Sequence, residues 1–169
     1  MLIKVLLVED QTSFIFEQML AMHNGFEFIK AGDGAEAVRL AMRRDYDIIL
    51  MDVMLPEMDG LTAIKLIREQ KPDVPIVAMS GSNYANLAVQ AGANEFILKP
   101  ADFGQLSLLL TRLTMEHRAS KLTESQTGEV QFKLRRLFKL KEQAAVSGIN
   151  TPPEVIIEIE DLEADLENL

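Results

Sequence analysis

Four short, mostly apolar runs in this 169-residue chain each end at a residue able to do ionic chemistry. Residues 2–8 end at Glu9-Asp10, residues 48–51 at Asp52, residues 76–79 at Ser80, and residues 95–98 at Lys99-Pro100. Runs of this length fit strands of a parallel sheet, buried on both faces. Open α/β sheets collect ligands at the carboxyl ends of such strands. Alone, Asp52 could be a metal ligand, a nucleophile or a helix cap, and its company decides between them. Three carboxylates at one edge repel and stay ionised only around a cation. Their hard oxygens suit Mg²⁺. A hydroxyl and an ammonium opposite suit the charged oxygens of a phosphoryl group. Asp52 can then be a nucleophile toward phosphorus, with Ser80 and Lys99 holding the product oxygens.

Helices must carry the chain back between those strands. Thr12 or Ser13 can cap a helix with Phe14, Ile15, Met19, Leu20 and Met22 at helical spacing, stopped by Asn24-Gly25. Residues 26–31 alternate as a strand, and Gly32-Asp33-Gly34 reads as a turn before a helix over 35–44. Further helices are expected over 61–70 and 86–90, and after Asp102 as a cap, with Leu106, Leu109, Leu110 and Leu113 on one side. Five β-α units in about 115 residues predict a doubly wound parallel sheet with helices on both faces.

Composition narrows the function. With 48% hydrophobic and 25% charged residues the chain is globular rather than disordered. A net charge of −9 disfavours bulk binding to nucleic acid. The absence of cysteine excludes disulfides, thiolate metal sites and a cysteine nucleophile. The opening MLIKVLLVEDQ is too short an apolar run for a signal peptide or a membrane span, so a soluble cytoplasmic protein is expected.

Glu9-Asp10, Asp52, the Pro56-Glu57-Met58-Asp59-Gly60 loop, Ser80 and Lys99-Pro100 together resemble the receiver domain of two-component response regulators. The resemblance covers about residues 1–118. It implies a flavodoxin-like fold with strand order 2-1-3-4-5. It implies that Asp52 accepts a phosphoryl group from a phosphohistidine on a sensor histidine kinase or histidine phosphotransfer protein. Asp10, Asp52 and the Met54 carbonyl would bind Mg²⁺ directly, and Glu9 through water. Ser80 would swing toward the phosphoryl group and Phe96 would turn inward, altering the face made by residues 86–90, 95–98 and the helix after Asp102. Such a protein is a switch biased by one new anionic group, catalysing only its own phosphorylation and dephosphorylation.

Two departures matter. Serine stands at position 80 where the family more often has threonine, which keeps the hydroxyl. Met54 and Ser82 occupy sites that in the family border the path of hydrolytic water, so an apolar Met54 is expected to slow loss of the phosphoryl group. Other readings fare worse. An aspartyl phosphatase of the dehalogenase type needs a second Asp two residues after the nucleophile, where this chain has Met54. A flavin or nucleotide module needs glycines in the first strand-helix turn, which here reads Glu-Asp-Gln-Thr-Ser. His23 and His117 lack metal spacing and read as solvated or capping residues, and the nine methionines as core filler.

Residues 119–129 are polar and read as a linker or helix extension, so the chain divides into a receiver (1–118), a linker (119–129) and a two-helix extension (130–169). The first of these helices has a basic face with Lys133, Arg135, Arg136, Lys139 and Lys141. The second starts at Thr151-Pro152-Pro153-Glu154, a cap followed by proline and a carboxylate. It carries a heptad seam at Val155, Ile159, Leu162, Leu166 and Leu169 opposite an acidic face. The pair could fold back as a hairpin or join two chains, and homodimerisation or partner docking is the expected role. The alternative is a transcriptional regulator with a minimal DNA-binding tail, but the helix that would read DNA has no Lys or Arg. Neither nucleic acid nor membrane is an expected partner.

Overall fold

The computed structural model describes residues 2–10, 25–101, 103–121 and 124–167, with only the backbone of Phe103, 124–127, Ile149 and Glu167. The helix expected over residues 14–22, together with His23, Asp102 and Leu169, lies outside the described residues.

Five apolar stretches form β1 (Ile3–Val8), β2 (Phe26–Ala31), β3 (Ile48–Asp52), β4 (Ile76–Ser80) and β5 (Glu95–Leu98). They make one parallel sheet in the expected order, β2-β1-β3-β4-β5. Every residue of β3 and β4 is buried, which explains why these strands read as unbroken apolar runs without alternation. Among the described residues, the helices between these strands are α1 (Gly34–Arg43), α2 (Gly60–Gln70) and α3 (Ala85–Ala91). Their small inner residues Ala37, Ala41, Ala63, Ala88 and Ala91 share one core with Leu6, Ile49, Met51 and Ile76 of the sheet.

The turn residues do more than punctuate. Asp33 is the N-cap of α1, its Oδ1 accepting from the Glu36 N–H at 2.7 Å, while Glu36 Oε2 accepts from the Gly32 N–H at 3.0 Å. Asp59 caps α2 in the same way, taking the Thr62 N–H at 3.0 Å and the Thr62 hydroxyl at 2.7 Å. Those bonds, the Thr62 N–H first, hold the Asp59 carboxyl below its ordinary pKa.

The backbone falls into two compact units, 1–103 and 104–169. The second unit holds α4 (Phe103–Ser120), α5 (Glu124–Ser147), a short 3₁₀ turn Gly148–Asn150, and α6 (Pro153–Glu167). The boundaries differ from those expected. Helix α5 begins at Glu124, inside the stretch read as a linker or helix extension, because polar residues without an apolar stripe can still form the solvated first turns of a longer helix. Thr151 does not cap α6: its hydroxyl donates back to the Gly148 carbonyl at 2.7 Å and the Ala144 carbonyl at 3.2 Å, closing the end of α5. The first bonds of α6 go instead to the Pro152 carbonyl. Ala119, Val130, Leu134, Leu137 and Leu166 form the core of this unit, with Met115, Phe138, Ile159 and Leu162 against it. Helices α5 and α6 therefore form an antiparallel hairpin within one chain, clasped by Lys133–Asp165 at 3.0 Å, Arg136–Glu158 at 2.6 Å and Lys141–Glu163 at 2.5 Å.

Candidate functional site

The sheet register staggers the strand ends by one rank at a time. Val8 pairs with Met51, so Glu9 stands level with Asp52; Asp52 pairs with Met79, so Ser80 stands one rank beyond; Ser80 pairs with Leu98, so Lys99 stands one beyond that. The order reverses between β1 and β3, which makes this edge the crevice where α/β sheets bind ligands.

Asp52 is 7% exposed, and each carboxylate oxygen is held. Oδ1 accepts from the Met54 N–H at 2.9 Å and Oδ2 from the Lys99 ammonium at 2.7 Å. The same ammonium donates to Glu9 Oε1 at 2.7 Å, so the two acid oxygens lie no farther apart than twice that distance. Burial by itself would lower the Lys99 pKa. Hydrogen bonds to Asp52 and Glu9, and the charges on both, outweigh it and leave the pKa raised. Lys99 is therefore a cation at any physiological pH, and it ties β5 to β1 and β3 across the crevice.

Ser80 is fully buried, with its Oγ accepting from the Ser82 N–H at 3.3 Å. Its carbonyl takes the Lys99 N–H at 2.8 Å, which fixes the serine and the lysine together. The Lys99–Pro100 peptide is cis. Phe96 is half-buried and packs against the sheet core. Met54 is 60% exposed beside Asp52.

Asp10 is exposed, and among the described residues no three His, Cys, Asp or Glu side chains are grouped to hold a metal. Converging carboxylates repel; here Glu9 and Asp52 share the Lys99 ammonium and Asp10 faces solvent.

The last residue of the Pro56–Gly60 loop, between β3 and α2, has a structural role that its place in the motif does not state. A Cβ on Gly60 would overlap the Asp52 carbonyl oxygen, so no other residue lets the loop fold back onto the strand end. The Gly60 N–H donates to the Val53 carbonyl at 3.0 Å, and Glu57 takes a φ of 60°, which is uncommon for a residue with a side chain. The signal was a glycine eight residues after the acid, at the end of a loop too tight for a Cβ.

Comparison with known proteins agrees with this arrangement. Residues 5–111 match the response regulator receiver domain family. The transcriptional regulatory protein ZraR of Klebsiella oxytoca is 29% identical over 134 residues, covering 77% of this chain and 30% of that protein. The CAI-1 autoinducer sensor kinase/phosphatase CqsS of Vibrio cholerae is 34% identical over 106 residues, 59% of this chain and 16% of that protein. The chain spans less than half the length of the curated relatives it matches. Among solved structures, the receiver domain of the Pseudomonas aeruginosa sensor kinase PA1611, with magnesium in its active-site cleft, is 36% identical at a TM-score of 0.62. That match covers 68% of this chain and 98% of that one. With more than half of its residues matched and an acid–lysine–serine edge on a sheet of order β2-β1-β3-β4-β5, the chain belongs to the receiver-domain family of two-component response regulators.

Proposed function

We propose that this chain is a phosphoacceptor switch in which Asp52 takes a phosphoryl group from a phosphohistidine on a histidine kinase or phosphotransfer partner. The observation that carries the reading is the buried Asp52 carboxylate, gripped by Lys99 and the Met54 N–H at the carboxyl edge of the sheet. An Asp52 oxygen attacks phosphorus, the O–P bond forms as the N–P bond breaks, and the imidazole leaves with the bonding pair. The Lys99 ammonium, already on Asp52 Oδ2, can follow the negative charge onto a phosphoryl oxygen, and the Ser80 hydroxyl can donate to another. Phe96 moving inward on Ser80's departure would carry the change outward.

The chemistry of the donors suits Mg²⁺ once Asp10 turns in toward Asp52. Asp52, Glu9 and Asp10 offer hard oxygens on neighbouring strand ends, with the Met54 carbonyl next to them, and the PA1611 receiver holds magnesium in its cleft. When bound, the ion would neutralise charge on the transferring phosphoryl group. The chain would turn over only its own phosphoryl group, since Met54 stands where an aspartyl phosphatase keeps its acid. The α5–α6 hairpin serves as an interaction module for dimerisation or partner docking. A DNA-binding tail is disfavoured because α6 has no Lys or Arg and three of its carboxylates clasp α5. Among the described residues no helix is long and apolar enough to cross a membrane, and a cytoplasmic site of action is proposed.

The test is phosphoryl uptake from a small acyl phosphate or a phosphorylated kinase. Wild type with Mg²⁺ should gain a hydroxylamine-labile phosphoryl group; uptake should fail when the metal is chelated beforehand and in Asp52→Asn. A wild type that takes up none, or an Asp52→Asn chain that labels equally, would overturn the reading.

A further inference from the structure

The hairpin uses only part of its charge. Helix α6 carries seven carboxylates and no Lys or Arg, and three of these, Glu158, Glu163 and Asp165, are spent on α5. Glu154, Glu160 and Asp161 are exposed and form no ion pair among the described residues. Between them Ile156 and Ile157 are 46% and 56% exposed. The outer face of α6 is thus acidic around two bare isoleucines.

Helix α5 has the opposite character. Lys133, Arg136 and Lys141 face the seam, while Arg135 and Lys139 are exposed and form no ion pair among the described residues. They share their helical face with Phe132, 72% exposed, and Val146, 90% exposed, at spacings of three, four and seven residues. Beside this face an apolar groove of about 650 Å³ opens between α4 and α5, lined by Leu108, Leu109, Phe138, Ala145 and Val146, with Arg112 and Glu142 also at its wall. Large apolar side chains grouped on a surface mark an interaction site more often than single ones do.

We propose that the outer face of α6 docks on the outer face and groove of α5 in a second copy of this chain, so that copies associate head to tail. The inference rests on the reading of the hairpin as an interaction module and is independent of phosphoryl transfer. Both faces point away from the α5–α6 seam, so they cannot satisfy one another within one chain. They are complementary in charge, and each offers apolar side chains at its centre. Because the two faces are different surfaces of the molecule, the contact is heterologous: it propagates unless rotation closes it into a ring. Each contact spans a single helix face, which places it among small, transient interfaces that form with rising concentration.

The experiment is sedimentation velocity on the full chain from about 1 to about 200 µM, a range suited to weak interfaces. Wild type should associate across the range, growing beyond a dimer where the contact stays open and levelling at a fixed size where it closes. Arg135→Glu/Lys139→Glu and Ile156→Glu/Ile157→Glu, all on exposed positions, should each remain monomeric with unchanged helical circular dichroism. Mixed together, the first variant supplies an intact acidic face and the second an intact basic one, so they should form a one-to-one pair and stop. The mixture keeps the added negative charge, so recovery there separates a lost face from general repulsion. A wild type that stays monomeric, variants that assemble like wild type, or a mixture that does not pair would each overturn the proposal. A monomeric wild type whose hairpin captures a different protein would overturn self-association while sparing the module reading.

Discussion

Lys99 holds two carboxylates at once, so removing its charge tests the site without touching the acceptor. Lys99→Met leaves Glu9 and Asp52 close together with no cation between them. Unfolding should become easier by about 1–3 kcal/mol at pH 7, because partly buried charges lose their partner. On the alkaline side, the folded-state pKa of Lys99 is raised, so its contribution is complete below the ordinary lysine pKa of about 10.4 and fades as pH climbs through the folded value. Denaturant titrations of both proteins should therefore differ by a constant amount from neutral pH to about pH 10 and converge above it. Met54 is the second residue to probe. Its N–H holds Asp52 while its side chain lies open to solvent. Met54→Asn should place a water-binding group there and shorten the phosphoryl lifetime several-fold, about 1 kcal/mol in barrier. An unchanged lifetime would remove Met54 from the account of hydrolysis.

Elements are held by contacts that sequence motifs do not advertise. The Arg68 guanidinium on α2 donates to the carbonyls of Gly92 (2.8 Å), Pro72 (2.6 Å) and Val74 (2.8 Å) and to Asn94 Oδ1 (3.0 Å); that oxygen also takes the Ile76 N–H at 2.8 Å. One side chain thereby ties the loops that lead into β4 and β5. Arg68→Lys keeps the charge but loses the planar fork, and should cost about 1–3 kcal/mol in chemical denaturation. Glycines give a contrast in sign. Gly60→Ala forces a Cβ into the Asp52 carbonyl and should cost about 3 kcal/mol or more. Gly128→Ala, in the exposed part of α5 with no atom within 4 Å of the new Cβ, should stabilise by about 0.5–1 kcal/mol. The strands and the acid–serine–lysine edge were legible because period and punctuation encode them directly. Asp33 and Asp59 as caps were half legible, since an aspartate before a helix can be a turn residue or a cap until its partner N–H is seen. Arg68 was not legible, because nothing local says that the carbonyls of Pro72, Val74 and Gly92 and the side chain of Asn94 close around it. Thr151 misled for a related reason: its hydroxyl has carbonyls on one side and a helix start on the other, and the carbonyls won.

On the scale of the whole chain, two compact units carry different work. The first holds the strand-end chemistry, and the second is built around Leu137 and its neighbours. Leu137 is fully buried, so Leu137→Ala should cost about 2–5 kcal/mol and weaken the helical unit. Phosphoryl uptake at Asp52 should survive the change; loss of uptake would mean that the helices are needed to build the site. The distribution of basic residues has a practical result as well. After Lys141 this sequence has no lysine or arginine, so residues 142–169 cannot be divided by trypsin. Lys141 itself is engaged with Glu163. Brief digestion should thus release the acidic helix as one intact peptide, and only when the α5–α6 clasp opens. Its appearance in a mass spectrum is a built-in clock for that opening, with no label attached to the protein.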